Sequence, residues 1–98
     1  MKCYMTTWNT VLEGGGIIER QETLTALDKE PTVVNWRASV GGIFIVSEQN
    51  QFVVGTNIHN TFPKLHFVLA PLDVMQLGGW ADKDTWDFIG RPRRIGQP

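Results

Sequence analysis

Ile43 to Gly55, IFIVSEQNQFVVG, decides how the rest of the chain is read. Two runs rich in β-branched and aromatic residues, Ile43 to Val46 and Phe52 to Val54, flank the polar stretch Ser47 to Gln51. Such runs favour pleated strands, and a short polar connection between them is a hairpin signal. The stretch is read as an antiparallel hairpin of strands over 43–47 and 51–57. Both runs are apolar on both faces, so each face needs cover from a helix, another sheet or a second copy of the chain.

Upstream, TVVNWRASV at 32–40 alternates. Val34, Trp36, Ala38 and Val40 share one face, and Val33, Asn35, Arg37 and Ser39 share a more polar one. Gly41-Gly42 then links it to Ile43 as a second hairpin would. Strands 32–40, 43–47 and 51–57 are therefore expected as a meander. Lys2 to Trp8 is a candidate first strand, and Gly14-Gly15-Gly16 a loop. Residues 17–30 fit two periods; a helix over Glu19 to Lys29, stopped by Pro31, is the reading taken. Downstream, Lys64 to Ala70 is a further strand, with Leu65, Phe67 and Leu69 on one face. Leu72 to Leu77 allows one helical turn. Asp82 marks an N-cap for a short helix that Gly90 ends.

The expected fold class is α+β. An antiparallel four- or five-stranded sheet, open or strongly curved into a half-barrel, packs with one longer helix and one or two short ones. Residues 1–90 form a single domain, and 91–98 (RPRRIGQP) a loose basic tail. The doubly apolar strands outrun the expected helical cover, so a homodimer is expected to complete the burial.

Composition narrows the functional classes. The 98 residues are 42% hydrophobic and 19% charged, with a formal net charge of −1. Such a chain is an ordinary globular one, without the field that drives binding to nucleic acid or anionic lipid. One cysteine, Cys3, allows no intrachain disulfide and mildly favours a reducing compartment. No apolar run approaches a membrane span or the core of a signal peptide, so a soluble, cytoplasmic protein is expected.

No motif identifies a family or a cofactor. The triple glycine lacks the spacing of a dinucleotide fingerprint and precedes no Gly-Lys-Ser/Thr. His59 and His66 have no metal-ligand spacing to Cys, Asp or Glu, so no metal is expected. The acidic run Asp82, Asp84, Asp87 fails as a calcium loop, because Trp86 stands at a ligand position and the required glycine is missing.

Three functions remain, in order. The first is a non-enzymatic binding module that takes a protein partner or a small apolar ligand through Trp36, Trp80, Trp86 and Phe67, since large rings dominate interface energetics. The second is a small pocket enzyme, an isomerase or hydrolase, with His66 or Asp73 as general base. The third is a weak nucleic-acid binder acting through Arg91, Arg93 and Arg94.

Overall fold

The run Phe52-Val53-Val54 is not a strand. In the computed structural model, which describes residues 1–8, 14–16, 20–39 and 42–96 (Trp8 and Arg20 by backbone alone), residues 51–61 are helical. The order of elements is β1 (Lys2–Trp8), α1 (Arg20–Lys29), β2 (Asn35–Ser39), β3 (Gly42–Ser47), α2 (Gln51–Thr61), β4 (Phe67–Pro71), a 3-10 turn (Val74–Gln76) and α3 (Lys83–Gly90). Three α-helices and a four-stranded antiparallel sheet among the described residues make the fold α+β. Residues 14–16 lie in a turn. Glu19, Val40, Gly41 and residues 97–98, on which expectations also rested, lie outside the described residues.

The hairpin expected at 43–55 fails for a local and a tertiary reason. Locally, Asn50 is an N-cap: its backbone is extended and its side chain accepts a hydrogen bond from the Val53 N–H at 3.0 Å. The polar run is thus the exit from β3 and the entrance to a helix. The Tyr4 hydroxyl holds that junction by donating to the Gln49 carbonyl at 2.6 Å. Tertiary packing supplies the rest. Val54 and Ile58, four residues apart, present one helical face and are buried at 0% and 3% exposure. Valine, threonine, asparagine and a glycine are poor helix formers, so burial overrides propensity here. The helix stops at Phe62, whose N–H bonds back to the Ile58 carbonyl, with Pro63 following.

The sheet order is β2-β3-β1-β4: the expected antiparallel pairing of β2 with β3 is present, but the third strand of the expected meander is replaced by β1 on the other side of β3. Tyr4 pairs with Ile45, Trp36 with Ile45 on the other side, and Thr6 with Leu69. This β-α-β-β-α-β connectivity interleaves two split β-α-β units, the ferredoxin-like topology. Many unrelated functions share it, so it argues for none.

Strand alternation sorts the side chains into two layers. On the helix face, Tyr4, Ile43 and Ile45 pack with Leu27 of α1 and with Val54 and Ile58 of α2. Glu30 ties the two helices, accepting from the Thr32 N–H and hydroxyl and from Asn57 Nδ2. On the far face, Cys3 and Val46 pack against Phe88 of α3. Burial there pushes the Cys3 thiol up to about 11, so it stays protonated and unreactive near neutrality. Helices of the same chain therefore cover the inner face of β3 and Val46 on its far face, and a second copy is not what shelters these side chains.

Arg93 and Ile95 of the basic segment bond back to the start of β2. Ile95 N–H donates to the Val34 carbonyl at 3.4 Å, and Asn35 Nδ2 to the Arg93 carbonyl at 3.1 Å.

The helical state of 51–61 has a simple check. A Cβ at Gly55 would meet nothing within 4 Å. Gly55→Ala is expected to stabilise the protein by about 0.5–1 kcal/mol, because alanine loses less backbone entropy in a helix interior. Urea unfolding of both proteins reads it; a loss of stability would contradict the helix.

Candidate binding groove

α3 covers only part of the far face. It is amphipathic: Phe88, Ile89 and Thr85 turn inward, and Lys83, Asp84 and Asp87 outward. Asp82 is its N-cap, accepting from the Thr85 N–H at 3.3 Å and the Thr85 hydroxyl at 2.5 Å. Arg37, on the same face of β2, donates through Nη2 to Asp82 at 2.8 Å and through Nε to the Thr85 hydroxyl at 2.9 Å. This bridge fastens the start of α3 over the β2 side of the sheet. A second tether acts at its far end, where Asp87 accepts from Arg93 at 2.8 Å.

Between α3, the sheet and the loop leading into the helix lies a groove of about 460 Å³. Met5 and Phe44 form its floor. Leu72 and Leu77 stand along its side with Trp80, Trp86 and Ile89, and Ser39, Asp82 and Thr85 make its polar end. Gly78-Gly79 delivers Trp80 to the rim. Gly79 has φ of 145°, a backbone state that other residues rarely adopt, and Trp80 beyond it is 102% exposed. Trp86 is half-buried.

Of the four aromatic residues expected to bind, the groove unites Trp80 and Trp86. Trp36 and Phe67 stand on the opposite face, packed against the helix-side core. The Trp36 indole N–H donates to Asp28 of α1 at 2.7 Å, which anchors that ring to its own chain. The candidate bases lie elsewhere. His66 is exposed just before β4, and neither it nor Asp73 lines the groove. Asp73 caps the 3-10 turn, its Oδ1 accepting from the Met75 N–H at 3.0 Å. All three tail arginines face carboxylates: Arg91 and Arg93 pair with Asp87, and Arg94 with Glu48 at 2.8 Å. Among the described residues, no cluster of three His, Cys, Asp or Glu could hold a metal ion, and no helix is long and apolar enough to cross a membrane.

Sequence reasoning missed the groove floor and the Arg37–Asp82–Thr85 bridge. Met5 and Phe44 sit in different strands, and only the sheet order makes them neighbours.

The bridge makes α3 sensitive to acid. The Thr85 hydroxyl, more than the Arg37 charge, holds the Asp82 carboxyl below its usual range, and Arg93 does the same for Asp87. A carboxyl lowered in the folded state contributes stability at neutral pH and loses it as pH falls through that lowered value. The melting temperature is expected to drop below about pH 4, and Asp82→Asn to flatten that drop. A pH series of thermal melts on both proteins is the check.

Comparison with known proteins finds no matching family model, no matching curated relative and no matching solved structure.

Proposed function

We propose that the protein is a non-enzymatic binding module that receives an apolar segment of a protein partner in the groove beneath Trp80. The observation that carries this reading is Trp80 itself, a fully exposed indole at the rim of an apolar cleft, directly after a glycine of positive φ. Large aromatic rings are costly to leave in water, and those that anchor interfaces sit beside apolar pockets. The cleft is open at the rim, whereas sites for small ligands enclose most of the ligand surface; this favours a peptide segment over a free small molecule. The polar end exposes the Asp82 carboxylate, an acceptor for partner backbone N–H groups.

A pocket enzyme draws less support. Among the described residues the one carboxylate in the groove, Asp82, is shifted downward by Thr85 and Arg37, opposite to a general base poised near neutrality.

Panning a library of linear peptides against the intact protein tests the reading. Enriched peptides are expected to share an apolar anchor, and Trp80→Ala to weaken them about 30-fold, as for a central aromatic contact. Because Trp80 makes up none of the core, the variant keeps the wild-type melting temperature. Peptides that bind Trp80→Ala equally well overturn the assignment. So does a lack of enrichment.

A further inference from the structure

The two edges of the sheet are protected differently. β2 has the tail residues 93–95 hydrogen-bonded at its start and carries Arg37 on its far face. Among the described residues β4, the opposite edge, forms a ladder with β1 alone, and Phe67 to Leu72 contains no charged residue. Natural sheets blunt such edges with lysine, bulges or covering loops, because an open row of peptide groups templates pairing with another chain.

The direction of the peptide groups on β4 can be read from its bonds. The Val68 N–H reaches Thr7 Oγ1 at 3.2 Å, and the Leu72 N–H reaches the Cys3 carbonyl at 3.0 Å, so even-numbered residues point toward β1. Alternation then turns the N–H and C=O of Leu69 and the C=O of Pro71 outward. On the far face, Val68 is 66% exposed and shares its side with the smaller Ala70.

We infer that β4 pairs antiparallel with β4 of a second copy, about a two-fold axis at Leu69. The strand is self-complementary in that register. Leu69 faces the partner's Leu69, and each N–H donates to the other's carbonyl. Val68 faces the partner's Ala70, large against small, twice by symmetry. No like charges meet along the seam, and a net charge of −1 does little to keep copies apart. Two-fold pairing of this kind buries one surface against itself and closes, giving a continuous eight-stranded sheet. The seam lies on the β4 side and does not involve Trp80, so it stands or falls independently of the groove.

Sedimentation of the full chain over a concentration series into the high micromolar range tests the pairing. Wild type is expected to form a dimer. Val68→Lys, at an exposed position where a charge is harmless to the monomer, raises the dimer dissociation constant by at least about tenfold with an unchanged melt. The doubly substituted Val68→Cys, Ala70→Cys chain is expected to form an interchain disulfide on mild oxidation, since facing residues of a non-hydrogen-bonded pair lie close enough for one. A wild-type monomer throughout the series overturns the inference, as does a dimer that survives Val68→Lys. A double variant that fails to cross-link overturns the Leu69 register.

Discussion

Ile45→Ala is expected to lower the unfolding free energy by about 2–5 kcal/mol, a large share of the roughly 5–15 kcal/mol that holds a domain folded. Ile45 is fully buried in β3, an interior strand of the sheet, between Tyr4 and Trp36. Its side chain meets the layer built from Leu27, Val54 and Ile58. Truncation removes the transfer energy of the lost carbons and leaves a cavity that two helices and three strands cannot all close. The effect belongs to this fold and not to the hairpin reading, because α2 supplies part of the wall. Urea unfolding with far-UV circular dichroism measures it, at unchanged slope. A loss below about 1 kcal/mol would mean that the helices do not pack on this face.

Gly42→Ala is expected to cost about 1–3 kcal/mol for a different reason. A Cβ at Gly42 would lie 2.8 Å from the Thr6 carbonyl oxygen. The obstacle is backbone of β1, not the tip of a mobile side chain. The β1–β3 pairing, with Gly42 opposite Thr7, must open to admit it. The same substitution at Gly55, in open space on α2, has the opposite sign. Measured together, the pair separates the close approach of two strands from the general cost of glycine.

The strands and helix ends were legible where one local rule acted alone. Alternation placed Trp36 and Ala38 opposite Arg37 and Ser39, and the register agrees. Asp82 was legible as a cap because a helix former follows an acceptor at the right spacing. The stretch 51–61 was not, because two rules disagreed. Val53, Val54 and Ile58 have strand propensity, whereas the spacing of Val54, Ile58 and Phe62 is helical. A strand drawn over 51–57 stops short of Ile58 and Phe62, which carry the second pattern, and Asn50, three residues before Val53, is the cap that starts the helix. Apolarity on both faces of β3 was read correctly, but the cover came from α3 on one side and α1 with α2 on the other.

The groove was legible in part. Glycines before Trp80 and the cap before Trp86 put both rings near the start of α3. Trp36 and Phe67 have the same chemistry, yet the parity of their strands turned them to the helix side. Residue type alone does not assign an aromatic to a core or a cleft; the sheet register does.

Asn50 also has a bearing on how the protein reaches its native state. Until its side chain captures the Val53 N–H, the newly made polypeptide presents two sticky pleat-forming stretches only a few residues apart, free to zip onto each other or onto a neighbouring molecule. Recovery from denaturant is then expected to depend on whether the second stretch coils before it pairs out of register, and to fall as protein concentration rises.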